Sequence, residues 1–310
     1  MPRRSSPKTS DVDYGRLPTE QSNPAVRHLD TLPARRLVRL IHEEDQRALA
    51  AVAAAEGPLA EAVELVAAAL DGGGRLLYVG AGTSGRLAAL DAAECPPTYG
   101  TPPSLVQAVI AGGRRALLRA VEGAEDSLAE GRSAIRRLEA SPKDAVCGIT
   151  ASGVTPFVLG ALAEARLRGC RTLLVTCAPH AVVAGHADLV VSLPVGPEIV
   201  AGSTRMKAGL ATKAVLHTLT TASMIRLGKV YDNLMVDVRP TNRKLVRRAT
   251  RIVQQLTGLA TGPAAKLLAE AGQSIKVAAV MHRLGVSRSA ARVLLRKARH
   301  RLRDVIGGPP

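Results

Sequence analysis

The sequence predicts an α/β protein: a parallel five-stranded sheet with helices on both faces, followed by a small all-α domain. Two observations carry that prediction. Between Arg75 and Val195, short and nearly continuous apolar runs alternate with helix-length segments, the pattern of βαβ units whose strands are covered on both faces. Past Asp237 no such run recurs, and only short segments with helical spacing remain.

Taken in order, residues 1–20 are polar, carry charges of both signs and show no period, so a mobile tail is expected there. From Asp30 the pattern turns helical. Leu32, Leu37, Leu40 and Ile41 fall near 3.6 spacing, and Leu49, Val52, Leu59, Val63, Val66 and Leu70 continue it in a second helix, which Gly57-Pro58 is expected to interrupt. Gly72-Gly73-Gly74 stops that helix. Strands are expected at Arg75 to Gly80, Leu105 to Ala111, Asp144 to Ala151, Arg171 to Cys177 and Leu189 to Val195, with helices between them at Arg114 to Arg137 and Thr155 to Arg168. Ser203 to Leu227 reads as one long amphipathic helix. Four short helices follow, around Val246 to Leu256, Ala264 to Ala271, Ile275 to Leu284 and Ser289 to Val305. The domain reading is therefore a tail over 1–20, the α/β domain with its N-terminal helices over 21–237, and a basic helical domain over 238–310.

The chain has 310 residues, 46% apolar and 22% charged, enough to bury a core and too apolar for disorder throughout. No apolar stretch approaches the roughly 20 residues a bilayer span needs. No apolar segment follows Arg3, Arg4 and Lys8 to make a secretory signal, so a cytoplasmic location and no membrane partner are expected. The four cysteines, at 95, 147, 170 and 177, fit neither a zinc knuckle nor a compact disulfide framework and read as reduced, buried thiols. The net charge of +16 first points to nucleic acid or another anionic partner. It is unevenly spread: residues 239–310 hold 16 Lys and Arg against only Glu270 and Asp304. The bases are 33 Arg and 9 Lys, a skew that coding composition alone can produce, and nucleic-acid binding is not expected.

Chemistry concentrates where strands run into helices. Gly80, Gly82 and Gly85 match GxGxxG after the first strand, but the acid a dinucleotide ribose needs after the second strand is missing, since that strand runs into Gly112-Gly113-Arg114. Thr83 and Ser84 in this turn offer hydroxyls beside bare backbone N–H groups, suited to a small dianion such as a phosphate monoester. Helix capping is their ordinary alternative use. The same chemistry recurs after the third strand, where Ser152 and Thr155 flank Gly153, and again in Gly202-Ser203-Thr204-Arg205-Met206-Lys207. Three hydroxyl-rich helix starts at the carboxyl edge of one parallel sheet favour a small-molecule sugar phosphate.

These motifs carry a resemblance. The glycine turn with Ser84, the Ser152-Gly153-Val154-Thr155 loop and the five-strand alternation resemble a sugar isomerase (SIS) domain, a flavodoxin-like phosphosugar fold. The stretches Leu90 to Gly100, Val121 to Asp126, Gly202 to Gly209 and Gly228 to Asp237 resemble, more narrowly, the N-acetylmuramic acid 6-phosphate etherases. The likeness runs from about Thr19 to Ile306. It implies a carbon–oxygen lyase of peptidoglycan recycling and amino-sugar catabolism. Such enzymes cleave the D-lactyl ether by elimination and water addition, with no metal and no organic cofactor. It further implies Glu94 as the acid that protonates the departing lactyl oxygen and Glu125 as the second catalytic carboxylate, acting in ring opening or in proton transfer at C1 and C2; Glu122, three residues earlier, is the rival, and Glu125 is preferred because it matches the family's spacing. Gly82, Thr83, Ser84, Ser152, Thr155, Ser203 and Lys207 are the expected phosphate and sugar contacts. A homodimer is expected by analogy with SIS domains. From the residues alone, Glu94 precedes Cys95-Pro96-Pro97, where a helix is expected to end and let the carboxyl project.

The chain departs from this pattern mildly at Ala93, for a common Ser, and Tyr99, for a common Phe, and more strongly in two places. Val154 stands where many relatives have Arg, with Arg86, Arg205 and Lys207 as possible compensation. Past Ser287 the relatives are more acidic, whereas here Arg288, Arg292, Arg296, Lys297, Arg299, Arg301 and Arg303 follow. Two other functions share the fold. A non-catalytic sugar-phosphate-sensing regulator would use the helix-turn-helix look of His282 to Arg303 but has no need of both glutamates. An aldose–ketose phosphosugar isomerase would lack the Glu-Cys-Pro-Pro motif and release no lactate.

Overall fold

The computed structural model describes residues 15, 17–240 and 242–308, with the side chains of residues 181 and 182 left aside. Most of the expected N-terminal tail lies outside the described residues. Its last part does not behave as a tail: Leu17 and Thr19 are buried. The chain divides into two compact units. The described part of residues 1–92 joins 104–219 in the first, and 93–103 joins 220–310 in the second. The second unit thus begins at Thr220 rather than after Asp237, and it takes in the Cys-Pro-Pro segment. A division read from charge and apolar period does not register ties such as the bond from Tyr99 Oη to Thr221 Oγ1 (3.2 Å).

In the first unit, helices α1 (Ala34–Ala54) and α2 (Glu56–Asp71) precede strand β1 (Leu76–Gly80). The break between them falls at Ala55, two residues before Gly57-Pro58. A proline in the first turn of α2 is tolerated because its missing N–H would have no helical partner. Strands β2 (Val106–Ile110), β3 (Ala145–Thr150), β4 (Arg171–Thr176) and β5 (Leu189–Ser192) complete a sheet in the order β2-β1-β3-β4-β5, every pair parallel. The central strands β1 and β3 are buried at every residue, while the edge strands β2 and β5 are only partly buried.

Helices cover both faces. Leu77, Val79, Val146 and Leu174 pack on one side with helices α4 (Leu128–Arg137) and α5 (Pro156–Leu167). On the other side Tyr78 donates from Oη to Asp91 Oδ2 (2.9 Å) on helix α3 (Gly82–Tyr99). The segment expected as one helix over Arg114 to Arg137 is instead two 3-10 turns, Gly113–Leu117 and Ala124–Asp126, followed by α4. Ser127 starts α4 by accepting from the Glu130 backbone N–H, and Gly123, in the left-handed region, keeps the chain from joining the pieces. A four-residue helix, α6 (His180–Val183), follows β4.

Helix α7 (Lys207–Arg226) begins four residues later than expected. The second unit continues with α8 (Arg243–Thr257), α9 (Thr261–Glu270), α10 (Ile275–Leu284), α11 (Arg288–Lys297) and α12 (Arg303–Ile306), packed around Ile252, Val253, Leu268, Ala278 and Leu295. The last expected helix is split because Arg299 and His300 take positive φ. No helix among the described residues is long and apolar enough to cross a membrane. All four cysteines are free and buried; burial pushes the Cys177 thiol up to about 12.

Candidate active site

Sheet order reverses between β1 and β3, so the loops leaving their carboxyl ends part and open a crevice. A cavity of about 270 Å³ lies there, within the first unit. The turn after β1 contributes Gly82, Thr83 and Ser84, and the loop after β3 contributes Ser152 and Thr155. The turn is built by close approach: a Cβ on Gly85 would come within 2.5 Å of Ile110 Cγ1, so only glycine lets α3 start this near the sheet.

The loop after β3 holds its hydroxyls in a cluster. Thr150 Oγ1 lies 2.7 Å from Thr155 Oγ1 and 3.3 Å from Ser152 Oγ. It also accepts from the Gly153 N–H (3.2 Å), while Ser152 Oγ accepts from the Val154 N–H (3.3 Å). Gly153 sits at φ +81, and a Cβ there would collide with Val183. Thr155 occupies the N-cap position of α5 but makes no side-chain cap bond. The first-turn N–H groups of Phe157 and Val158 therefore receive nothing from it, and the ordinary capping use of this threonine does not apply. An uncapped helix N-terminus ringed with hydroxyls is suited to holding a phosphate. Val154, at the position where relatives carry Arg, is buried and apolar.

Glu125 lies in the Ala124–Asp126 turn and borders this cavity and a neighbouring one of about 200 Å³, whose lining includes Arg86 and Glu122. Partial burial, then the nearby carboxylates of Asp126 and Glu122, raise its pKa above the ordinary glutamate value.

The third cluster does not behave as expected. Gly202 and Thr204 line the cavity, but Ser203 and Lys207 do not. Helix α7 starts at Lys207, and its N-terminus is already occupied: Glu198, fully buried, accepts from the backbone N–H groups of Lys207 (3.0 Å) and Ala208 (2.9 Å). The Lys207 side chain is 2% exposed and ion-paired with Glu44, which also pairs with Arg47 at 2.8 Å. Lys207 is thus a buried structural cation rather than a cavity contact. Arg86 is directed to the Leu117 carbonyl (3.3 Å) and lines the neighbouring cavity, and Arg205 is exposed. Among the described residues lining the main cavity there is no Lys, Arg or His.

Glu94 falls in the second unit, near the end of α3, and is exposed. The helix does not end there. It continues through Pro96 and Pro97 to Tyr99, since a helical φ suits proline and the Pro96 carbonyl still accepts from the Gly100 N–H (3.0 Å). Glu94 is therefore presented from a helix and not from a frayed end. Thr19, Glu20, Thr150, Asp126 and Thr204 also line the cavity. Thr19-Glu20, where the family likeness begins, was the available signal for the first two, but no period marked it as structured.

A parallel sheet in this order, with hydroxyl-bearing helix starts at its switch point, is the arrangement of a SIS domain, and residues 58–166 match the family model of the glucokinase regulatory protein N-terminal SIS domain. Curated relatives cover nearly the whole chain. N-acetylmuramic acid 6-phosphate etherase of Gloeothece citriformis is 51% identical over 91% of this chain and 92% of its own length. That of Synechocystis sp. is 49% identical over 96% and 98%, and that of Rhizobium rhizogenes 47% over 94% of each. The chain belongs to the N-acetylmuramic acid 6-phosphate etherase family. Among solved structures, phosphoheptose isomerases from Francisella tularensis (18% identical, TM-score 0.48) and Neisseria gonorrhoeae (19%, TM-score 0.46) align over 63% and 61% of this chain and 100% and 97% of their own.

Proposed function

We propose that this protein is a carbon–oxygen lyase that cleaves the D-lactyl ether of N-acetylmuramic acid 6-phosphate, releasing D-lactate and N-acetylglucosamine 6-phosphate in peptidoglycan recycling. The observation that carries this is identity of about half over nearly the full length of relatives bearing that name. The cavity adds a chemical reason. Hydroxyls and an uncapped helix start can hold a phosphate at the β1 and β3 edge, and a carboxylate with raised pKa stands on the same wall.

In the reaction, the opened sugar presents a C1 aldehyde that acidifies the C2 proton. A base takes that proton, the C3–O bond breaks, and an acid protonates the lactyl oxygen as it leaves; water then adds to C3 of the unsaturated aldehyde. Glu94 is assigned the acid role and then the activation of water. Glu125 is assigned to ring opening or proton transfer at C1 and C2. Each such transfer is typically worth 10² to 10⁴ in rate. Thr83, Ser84, Ser152 and Thr155 are assigned to the phosphate, with Gly82 letting the backbone come close. A cytoplasmic location and a homodimer belong to the same reading.

The deciding experiment incubates the purified chain with N-acetylmuramic acid 6-phosphate and assays D-lactate. Stoichiometric lactate with N-acetylglucosamine 6-phosphate is the expected result. Binding without release of lactate would favour a sensor.

A further inference from the structure

Among the described residues, the cavity wall carries three carboxylates, Glu20, Glu125 and Asp126, and its other polar side chains are hydroxyls of Ser and Thr. A phosphate dianion is repelled by carboxylates, so it belongs with the hydroxyls and N–H groups at the α3 and α5 starts. The carboxylates are left to the rest of the ligand. Ionised, they only accept hydrogen bonds, and a phosphosugar offers them hydroxyl and amide N–H donors.

Glu20 is held in place from both sides. Its own N–H donates to the Leu17 carbonyl (2.9 Å), and the Gly202 N–H donates to the Thr19 carbonyl (3.0 Å). Thr19 Oγ1 donates to Glu20 Oε1 (3.2 Å). The other oxygen lies over Gly202, where a Cβ would come within 3.2 Å of Oε2. A buried layer fastens the same strap: Asn23 Nδ2 donates to Glu44 (3.0 Å) and to the Pro197 carbonyl (3.3 Å), and Glu44 pairs with Lys207. The main chain around Glu20 and the 197–204 loop are thus tied at several points. The Glu20 side chain is exposed, and this tied main chain keeps its carboxylate at the rim of the cavity.

We propose that Glu20 is a specificity-determining residue that accepts hydrogen bonds from the sugar portion of the ligand and makes no favourable contact with its phosphate; this rests on the cavity being the phosphosugar site. The test is calorimetric titration of the full-length protein and its Glu20→Ala and Glu20→Gln variants with N-acetylglucosamine 6-phosphate, glucose 6-phosphate and inorganic phosphate. A hydrogen bond to a charged group corresponds to roughly 10- to 100-fold in affinity. Glu20→Ala is expected to weaken N-acetylglucosamine 6-phosphate by that factor while phosphate binds as before or more tightly. Glu20→Gln, which keeps one acceptor, should lose less, and it carries the test if the alanine variant does not fold. Equal weakening of both sugar phosphates assigns the contact to a hydroxyl; weakening of the acetamido sugar alone assigns it to the amide N–H. Unchanged sugar-phosphate affinity in both variants overturns the proposal, as does an equal loss for inorganic phosphate. A wild-type protein that binds phosphate but neither sugar phosphate overturns the cavity assignment itself, and Glu20's role with it.

Discussion

Glu94 rides on the exposed side of α3 between buried Ala92 and Cys95, so the helix rather than a loop sets where its carboxyl points. Glu94→Gln is nearly isosteric and cannot donate an acid proton. It is expected to lower D-lactate release by roughly 10² to 10⁴ while thermal melting and N-acetylglucosamine 6-phosphate affinity stay close to wild type; near-normal turnover would remove Glu94 from the reaction. Glu125 lends itself to a pH measurement. Burial, Asp126 and Glu122 all disfavour its charged form. If it works as a base, activity rises as pH climbs through a pKa above the ordinary glutamate value. Asp126→Asn removes one of those repulsions, so the acidic limb of the kcat/KM profile should move to lower pH. A limb that does not move means another group sets it.

Helix starts explain both what was legible in the sequence and what was not. At α5, Thr155 and Pro156 mark the N-terminus from sequence alone, and the structure leaves it uncapped beside the cavity. At α7 the same kind of hydroxyl-rich motif reads the same way, yet a buried carboxylate from nine residues upstream takes its N–H groups. No local pattern reports a cap supplied by a residue outside the motif. The long pairing of Lys207 with Glu44 is invisible for the same reason. The five strands were legible because their apolar runs answer to burial on both faces, a local property. The turn after Gly123 and the strap over Leu17 to Glu20 depend on tertiary contacts. Lys207→Met tests the structural assignment, because among the described residues it leaves Glu44 buried with Arg47 and Asn23 as its side-chain partners. Removing one member of a buried pair costs about 3–5 kcal/mol, so the urea midpoint should fall well below wild type. A midpoint within experimental error would show that Lys207 is not structural.

At the scale of the whole molecule, the charge of +16 separates from the chemistry. Residues 239–310 carry nearly all of the excess, whereas the main cavity, in the other unit, has no basic side chain among its described lining residues. Helix α8 shows what that excess does locally. Leu245, Ala249, Ile252, Val253 and Leu256 face the core, while Arg243, Arg247 and Arg251 follow one another at four-residue steps on the exposed side. No acidic residue lies on this helix to offset them. Like charges four apart destabilise a helix by about 0.2–0.5 kcal/mol per pair, and a cation at the helix N-terminus opposes the dipole. Replacing all three arginines with glutamine, which has similar helix propensity, should therefore stabilise the protein by roughly 0.5–1 kcal/mol at low ionic strength. That gain should vanish in 1 M salt, where the screening length shrinks to about 3 Å. Lactate release should remain at the wild-type rate. A stability gain that survives high salt would locate the effect in packing, and a fall in turnover would bring the basic helices into the reaction.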